Sequence, residues 1–403
     1  MLLMDLVFCG LALAGAVPVL VFLAQMLASR PPVRPRPVPA HPRPSLAVLI
    51  PAHDEGRIIA GTVAGLMPEL AAADRLVVVA DNCRDTTAAA ARAAGAEVVE
   101  RDDPARRGKG FALDHGLRYL ERTGLPEVVV VIDADCAMQA GGIDRLARLS
   151  AATDGPVQGA YRLTAPPRAS SSHRIAAFAT LVKQVGRPLG WSRLGQPCAL
   201  SGTGFAVPAR HLAAASLASS HLTEDLKLGM DLALAGHPAR FCPQAEVTSV
   251  LPEGDAARRS QQTRWEHGHL ALILPYASAL VGGAWRRRDP RLLGLALDLC
   301  VPPLVVLTLA EAGLGLAALA WWWAGGGLAP LLVAGPAVLL LGLALAVAIG
   351  RWGRGLIAWR DALALPGFAV GKVAILLQFL VKPQAEWVRA ERRTGGGAEP
   401  PAG

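Results

Sequence analysis

The chain carries, at residues 128–135, the sequence Val128-Val129-Val130-Val131-Ile132-Asp133-Ala134-Asp135. The β-branched run is too short to cross a membrane and is typical of a strand buried on both faces. Asp133 and Asp135 therefore follow the carboxyl end of a strand, the edge at which open α/β sheets bind ligands. Paired carboxylates there suit a hard divalent cation on a diphosphate, although an acidic first turn of a helix would give the same pattern.

Short apolar runs and helical stretches alternate between residues 46 and 135. The predicted strands are 46–50, 76–80, 96–99 and 128–132, and helices are expected near 57–66, 86–94 and 110–122. This alternation is typical of a parallel sheet with crossover helices. The sequence therefore predicts an α/β domain whose polar residues gather at one sheet edge.

The turns after these runs carry the polar residues. They read Pro51-Ala52-His53-Asp54-Glu55, Asp81-Asn82-Cys83-Arg84-Asp85-Thr86 and Arg106-Arg107-Gly108-Lys109-Gly110. At a shared edge they offer carboxylates for a ribose or base and a lysine for phosphate. Asp85-Thr86 equally fits a helix N-cap, and Glu55 a first-turn acid. The lysine turn lacks the G-x-x-x-x-G-K-[ST] pattern, which disfavours a Walker-type ATPase.

The first half of the chain also contains a hydrophobic segment and a basic tether. Residues 6–28 are uncharged, and 23 residues are long enough to cross a bilayer of about 30 Å. A signal peptide is disfavoured because Asp5 precedes the segment without any Lys or Arg. The tether at 29–45 holds four Arg, seven Pro and no acid. Its arginines, Arg30, Arg34, Arg36 and Arg43, place it on the cytoplasmic side by the positive-inside rule.

Further hydrophobic segments follow the α/β region. Residues 292–324 and 328–350 predict a transmembrane hairpin in which Glu311 faces protein, either beside an arginine or along a channel. Residues 362–381 either cross the membrane or lie at its surface, and the basic residues that follow favour the surface. Arginines beside these segments explain the net charge of +8 through anionic lipid headgroups, so no nucleic-acid partner is expected. The six cysteines form no C-x-x-C pair and indicate neither zinc nor a disulfide framework.

An ordered set of motifs resembles the membrane-integrated family-2 glycosyltransferases. These include cellulose, hyaluronan and poly-N-acetylglucosamine synthases and ceramide glucosyltransferase. The set consists of the three turns above, Asp133-Ala134-Asp135, Ser201-Gly202-Thr203-Gly204, Thr223-Glu224-Asp225, Gln261-Gln262-Thr263-Arg264-Trp265 and the tail Glu386-Trp387-Val388-Arg389-Ala390-Glu391-Arg392. It spans residues 46–393. The resemblance implies a GT-A-like fold, a Rossmann-like nucleotide-binding sheet, inserted between transmembrane helices.

The resemblance also implies a role for each motif residue. The nucleotide sugar would contact Pro51, Ala52, Glu55, Asp81, Lys109, Asp133 and Arg264, and Asp133 and Asp135 would hold Mg2+ or Mn2+. The acceptor would contact Ser201, Gly202, Thr203, Glu224, Gln261 and Trp265. Two departures bear on the identity of the donor, because the family more often has Asn where Asp54 stands and Asp-Asp-Gly/Ser where Asp81-Asn82-Cys83 stands.

Asp225 is the candidate catalytic base. Thr223 is a plausible N-cap of the helix that follows, so Asp225 would lie in its first turn, where an acid also merely favours the helix dipole. A carboxylate there can accept the proton of an attacking hydroxyl. Arg264 can contact the diphosphate and Trp265 can stack on a sugar, whereas an Arg-Trp pair alone would read as a headgroup anchor. His267 and His269 are a poor metal pair at this spacing and are expected to be interfacial polar residues.

These observations divide the chain into seven segments. They are a transmembrane helix (1–28), the tether (29–45), a cytoplasmic GT-A domain (46–260), an interfacial helix region (261–290), the transmembrane hairpin (291–350), an interfacial or third C-terminal membrane segment with a basic tail (351–393) and a disordered tail (394–403). We expect an integral protein of a bacterial-type inner or plasma membrane, with its catalytic domain in the cytoplasm and accessory membrane or export subunits as possible partners.

The predicted activity is that of an inverting, metal-dependent β-glycosyltransferase. It would move a sugar from a UDP-sugar to a growing polysaccharide. Transfer of a single sugar to a lipid is the alternative, and a non-catalytic membrane subunit that binds nucleotide sugars is a further one. Asp225 argues against the non-catalytic subunit, because a binding protein needs no base.

Overall fold

A mixed eight-stranded sheet forms the centre of the catalytic domain in the computed structural model, which describes residues 1–31, 41–167 and 169–381. The strands are β1 (Leu46–Ala52), β2 (Arg75–Asp81), β3 (Glu97–Arg101), β4 (Val128–Val131), β5 (Ala137–Met138), β6 (Val157–Thr164), β7 (Phe205–Pro208) and β8 (Arg240–Val250). The strand order in the sheet is β3-β2-β1-β4-β7-β6-β8-β5. The neighbouring strands β3, β2, β1 and β4 are parallel to one another, and β7 is antiparallel to both of its neighbours. The four predicted strands are thus confirmed.

Fourteen α-helices lie within the described residues. They are α1 (Leu2–Ala28), α2 (Ile59–Leu66), α3 (Thr87–Ala93), α4 (Lys109–Thr123), α5 (Gly142–Thr153), α6 (Ser171–Leu181), α7 (Arg187–Arg193), α8 (Ala209–Ala213), α9 (Glu224–Ala235), α10 (Asp255–Arg287), α11 (Pro290–Leu299), α12 (Leu304–Trp323), α13 (Ala329–Trp352) and α14 (Leu365–Val381). A π-helical turn, Val182–Gly186, joins α6 to α7. The predicted tether residues Arg34 and Arg36 and everything from residue 382 onwards, including the tryptophan-containing tail motif, lie outside the described residues.

Alternate residues of the central strands feed two different hydrophobic cores. Leu49 of β1 packs in one core with residues of α4, whereas Val48 packs in the other with residues of α2 and α5. The first core continues without interruption into Phe22 of α1 and Ala344 of α13. Apolar helices on either side of the domain in sequence therefore share one continuous core with its sheet, and α1 packs against α7 of the domain.

Four helices are long and apolar enough to cross a membrane: α1, α10, α12 and α13. The segment predicted as one span from residue 292 to 324 is instead broken at Pro302-Pro303, so α11 is separate and the hairpin consists of α12 and α13. Proline in succession removes two backbone donors and forces the break. Glu311 is buried against Gly15 of α1, as expected of an acid facing protein, and the described residues include no arginine paired with it.

A buried polar network joins α1 to the catalytic domain. Arg187 donates from Nε to Gln25 Oε1 over 2.9 Å and from Nη2 to Asp298 Oδ1 over 2.8 Å, and Gln25 Nε2 donates to the same Asp298 oxygen over 2.6 Å. Arg351 donates to the carbonyls of Leu27 and Ser29 at the end of α1, where a cation satisfies otherwise unpaired helix carbonyls. The position of α1 is therefore fixed by charge and hydrogen bonding as well as by apolar packing.

Gly190 permits this close contact, and its substitution is a test of it. A Cβ at Gly190 would lie 1.9 Å from the backbone oxygen of Gln25, so Gly190→Ala must push α1 away from α7. We expect a loss of about 1–3 kcal/mol in the free energy of unfolding, measured by denaturant titration in detergent. Gly61→Ala is the control, because its Cβ meets nothing within 4 Å. Equal stability of the two variants would contradict the described contact.

Candidate active site

The turns after β1 and β2 are held in a backbone conformation that favours short polar residues. Asp54 has a φ of 52° and Asn82 a φ of 53°, in the left-handed region that Asn and Asp tolerate best after glycine. Asp54 Oδ1 accepts a hydrogen bond from the Arg84 amide over 2.6 Å, and Asn82 Oδ1 accepts one from the Asp103 amide over 2.8 Å. The two departures from the family pattern therefore have a structural role at this sheet edge.

A cleft of about 610 Å³, here called the strand-edge cleft, opens above these turns. All of the residues predicted to contact the nucleotide sugar line it, namely Pro51, Ala52, Glu55, Asp81, Lys109, Asp133 and Arg264. It is also lined by residues that the sequence did not assign, among them His53, Asp54, Arg57, Arg84, Asp85 and Arg107. Asp85 Oδ1 accepts a hydrogen bond from the Thr87 amide at the start of α3, whereas the N-cap position itself is held by Thr86, whose side chain makes no capping hydrogen bond.

Asp81 is oriented by groups that pattern recognition missed. Arg101, opposite Asp81 in the β2–β3 register, donates to Asp81 Oδ1 over 2.6 Å, and Asn82 Nδ2 donates to the same oxygen over 3.0 Å. Arg101 and Asp81 are nearly buried, and the second carboxylate oxygen of Asp81, Oδ2, has no hydrogen bond to the described residues. In the sequence, the one indication that Arg101 would orient Asp81 was its predicted position at the end of a strand.

Lys109 links the strand-edge cleft to the acidic motif. It begins α4, and its Nζ lies 2.5 Å from Asp133 Oδ1 and donates to the carbonyl of Gly202. Burial lowers the pKa of Lys109, but the surrounding carboxylates of Asp133, Glu224 and Asp225 outweigh it and raise the pKa above its ordinary value. Lys109 is therefore a permanent positive charge at the centre of the site.

Asp133 and Asp135 have the chemistry of a divalent-cation site. Their carboxylate oxygens and Cys136 Sγ all lie within 4.8 Å of one another. Burial, with the neighbouring acids, raises the pKa of Cys136 well above its usual value, so its thiol stays protonated and the two carboxylates are the hard donors. Burial also raises the pKa of Asp133, although the charge of Lys109 acts in the opposite direction. The positive charge beside Asp133 and Asp135 is therefore smaller than the two carboxylates require.

The Ser-Gly-Thr-Gly loop holds the acidic motif from behind. Thr203 is fully buried, and its Oγ1 accepts a hydrogen bond from the Asp133 amide over 2.8 Å. The Gly202 amide donates to Asp225 Oδ2, and the Gly204 amide donates to the Val131 carbonyl over 2.9 Å. Thr203 therefore lies behind the wall of the site and positions Asp133, while Gly202 joins Asp225 to Lys109.

The Thr-Glu-Asp motif forms the start of α9, as predicted. Thr223 occupies the N-cap position, but its side chain makes no capping hydrogen bond and packs instead against Gly268 of α10. Burial and the adjacent Asp225 raise the pKa of Glu224 to about 7. The motif thus brings two neighbouring acids, Glu224 and Asp225, to the inside of the site.

A second cavity of about 190 Å³, here called the inner cavity, lies on the other side of the acidic motif. Of the predicted acceptor residues, Ser201, Gly202, Glu224, Gln261 and Trp265 line it together with Asp225. It shares Lys109, Asp133, Asp135, Gln261 and Arg264 with the strand-edge cleft. Gln261 Oε1 is buried there without a hydrogen-bond partner among the described residues, as expected of a group that a ligand satisfies.

Buried contacts with the C-terminal helices fix the orientation of α10. His267 Nε2 is paired with the Ile375 carbonyl over 2.9 Å and His269 Nε2 with the Leu299 carbonyl over 3.0 Å. Both histidines are buried, so the expectation that they are interfacial polar residues is wrong. Glu266 forms a buried ion pair with Lys372 of α14. That expectation rested on the proximity of the membrane segments, but packing between helices buries both side chains.

A third cavity of about 80 Å³, the lateral groove, adjoins the inner cavity. The groove shares Thr180, Lys183, Arg187 and Trp265 with the inner cavity. The rest of its lining consists of three polar residues, Gln262, Glu266 and Lys372, and eleven apolar ones: Phe22, Ala176, Ala179, Val182, Leu251, Val301, Pro302, Pro303, Leu304, Val305 and Phe368. Lys183 and Arg187 were not identified from the sequence, because no motif contains them. Charged residues in the otherwise apolar stretch 175–191 were the signal that could have found them.

The sequence profile described as "Glycosyltransferase like family 2" matches residues 42–268, which is more than half of the chain and includes every residue that lines the strand-edge cleft. The chain belongs to this family. Among curated proteins, the glycosyltransferase is 27% identical over 247 residues to the probable glycosyltransferase YdaM of Bacillus subtilis (strain 168). The alignment covers 58% of this chain and 57% of the relative, so the chain spans little more than half of the relative's length.

The fold is similar to that of a solved glycosyltransferase. The mannosyltransferase PcManGT from Pyrobaculum calidifontis, solved with GDP-Man and Mn2+, superposes with a TM-score of 0.56 at 17% identity, covering 94% of this chain and 100% of that one. Glucosyl-3-phosphoglycerate synthase from Mycobacterium tuberculosis, solved with Mn2+, UDP and phosphoglyceric acid, has a TM-score of 0.37 at 21% identity, covering 56% and 78%. The GT-A-like fold predicted from the sequence is confirmed.

Contact between α10 and the Thr-Glu-Asp motif can be tested at Gly268. A Cβ there would lie 2.6 Å from Thr223 Cγ2, so Gly268→Ala displaces the motif from the Gln-x-x-Arg-Trp helix. Because displacements of this kind disturb reacting geometry, we expect sugar transfer to fall by about 10- to 100-fold in kcat. The matched control on the same helix is Gly282→Ala, whose nearest atom is Arg286 Nη2 at 3.9 Å. Equal activity of both variants would contradict the coupling.

Proposed function

We propose that this glycosyltransferase is a membrane enzyme that inverts the anomeric centre as it moves a sugar from a UDP-sugar to a lipid. The supporting observation is the meeting of the strand-edge cleft and the inner cavity at Lys109, Asp133 and Asp135. A donor in the cleft and an acceptor in the inner cavity would face each other across this point. Asp225 lines only the acceptor side of it, where a base is needed.

The donor would lie with its nucleoside near Pro51, Ala52, Glu55 and Asp81 and with its diphosphate near Lys109. Asp133 and Asp135 would hold Mg2+ or Mn2+, which supplies positive charge at the leaving diphosphate. The Mn2+ and nucleotide sugar in the structurally similar mannosyltransferase support this arrangement. Arg264 lines both cavities and would complete the positive lining around the diphosphate.

Asp225 would accept the proton of the acceptor hydroxyl. As the hydroxyl oxygen bonds to the anomeric carbon, the bond from that carbon to the diphosphate breaks on the opposite face and UDP leaves with the electron pair. A single displacement of this kind inverts the centre, so an α-linked donor yields a β-linked product. Trp265, which lines the inner cavity, offers a flat face for the sugar in transfer.

The acceptor proposed here differs from the polysaccharide favoured by the sequence. The lateral groove gives the inner cavity an apolar approach lined by Phe22 of α1 and Leu304 of α12, two helices of membrane-spanning length. An apolar approach suits acyl or prenyl chains better than a hydrated polymer. A growing polysaccharide is the second candidate, because the Gln-x-x-Arg-Trp motif is shared with polysaccharide synthases.

The proposed location is a bacterial-type inner or plasma membrane with the catalytic domain in the cytoplasm. Three of the helices of suitable length and composition, α1, α12 and α13, and the basic residues Arg30 and Arg351 at the ends of α1 and α13 support this orientation. Arg43 of the tether is bound to Asp74 and Asp144 of the catalytic domain, over 2.6 and 2.7 Å. Arg43 thus fixes the described end of the tether to the catalytic domain.

Substitution of Asp225 tests the proposed base. With Mn2+ and a panel of UDP- and GDP-sugars, we expect Asp225→Asn to lower kcat by about 10²- to 10⁴-fold while UDP binding, measured by calorimetry, is retained. The control is Asp231→Asn on the same helix, where the carboxylate pairs with Lys227 and lies outside the inner cavity. Unchanged turnover of the Asp225 variant would sink the assignment. Label in the organic phase, not in a polymer, would support the lipid acceptor.

A further inference from the structure

A π-helical turn places Lys183 at the junction of the inner cavity and the lateral groove. The turn, Val182–Gly186, inserts between α6 and α7, and such inserted turns occur frequently at functional sites. Lys183 lines both cavities. Burial lowers the pKa of its ammonium to about 8, with a further lowering by Arg187. The chain therefore keeps a half-buried cation where an acceptor would pass from the groove to the reacting centre.

The acids nearest to Lys183 are engaged elsewhere. Its electrostatic neighbours are Asp225, Glu266 and Asp298. Asp225 accepts from the Gly202 amide, Glu266 is paired with Lys372, and Asp298 accepts from both Arg187 and Gln25.

Within residues 1–31, 41–167 and 169–381, Lys183 has neither an ion pair nor a hydrogen bond. Lys183 is half-buried, so its ammonium group loses part of its hydration without gaining a counter-ion, and an anionic ligand group would offset that cost. By contrast, Lys109, Lys227 and Lys372 each have a carboxylate partner.

We infer that the acceptor is a phospholipid with a free hydroxyl in its headgroup, whose phosphate binds Lys183 while its chains lie in the lateral groove. The inference rests on the proposed function and names the chemistry of its acceptor. The groove is lined by Phe22, three-quarters of the way along α1, and by Val305, at the start of α12. These positions correspond to one end of each candidate span, the depth at which headgroup and chains separate.

The headgroup then spans the inner cavity from Lys183 to Asp225. Its hydroxyl gives up a proton to the Asp225 carboxylate as its oxygen bonds to the anomeric carbon, and the bond from that carbon to UDP breaks. The lipid phosphate diester keeps all of its bonds. Lys183 thus acts as a specificity-determining residue for the acceptor and has no part in the departure of UDP.

The experiment compares three acceptors for the purified full-length enzyme with Mn2+ and a radiolabelled donor. They are vesicles of phosphatidylglycerol, which has a phosphate and a headgroup hydroxyl, phosphatidylcholine vesicles containing diacylglycerol, which has a hydroxyl without a phosphate, and soluble glycerol 1-phosphate, which has both groups without chains. Label is measured in the organic and aqueous phases, and UDP release is measured in parallel. Lys183→Met and Lys183→Arg are tested beside the exposed control Arg118→Met, whose side chain pairs with Asp114 on α4.

We expect phosphatidylglycerol to be the best of the three acceptors, by at least about 10-fold in kcat/KM, equivalent to the loss of roughly 1.4 kcal/mol of binding. Lys183→Met should abolish this preference through KM and leave UDP binding unchanged, Lys183→Arg should largely restore it, and Arg118→Met should behave as wild type. A preference that persists in Lys183→Met overturns the inference, as does equal use of diacylglycerol or of glycerol 1-phosphate.

The failure of the inference is distinguishable from that of the proposed function. UDP release with all of the label in aqueous products would overturn the phospholipid acceptor while the transferase remains. No UDP release from any nucleotide sugar, with or without these acceptors, would overturn the proposed function itself.

Discussion

Three half-buried carboxylates around one lysine are the electrostatic constraint on which this glycosyltransferase is organised. Lys109 lies among Asp133, Glu224 and Asp225, and it bonds directly to Asp133 and to the Gly202 carbonyl. So many acids in a poorly solvated site require more positive charge than one lysine supplies. The remaining requirement is met by Arg264 and, in the proposed mechanism, by the divalent cation at Asp133 and Asp135. In the proposed mechanism, this charge imbalance attracts the divalent cation, which in turn binds the diphosphate.

The same region couples catalysis to the apolar helices. Arg187 and Asp298 line the inner cavity and also form the network with Gln25 of α1. Through Glu266 and Lys372, α14 is attached to the Gln-x-x-Arg-Trp helix. The walls of the inner cavity are therefore contributed by segments far apart in the chain. A membrane acceptor would reach the reacting centre between helices that the catalytic domain itself holds in place.

Local signals predicted the sheet and most of the site. Valine-rich strands in a parallel sheet have a distinct pattern, and ligand groups cluster at the ends of such strands, so β1 to β4 and the residues of the strand-edge cleft followed from the sequence. Lys183, Arg187 and Arg101 could not be predicted in this way, because their roles depend on long-range packing. The Pro302-Pro303 pair indicated the break, but the apolar character of the segment favoured one continuous span. Thr203 belongs to a recognised motif, yet only the structure shows that it orients Asp133 from behind.

The central claim is that Asp133 and Asp135 face the donor diphosphate at the junction of the two cavities. The most direct test is the structure of the full chain with Mn2+ and UDP, with the metal located by anomalous scattering. The account predicts a manganese peak bound by the carboxylates of Asp133 and Asp135, with diphosphate oxygens on the metal and beside Lys109. Manganese and diphosphate bound elsewhere, with the strand-edge cleft empty, would contradict it.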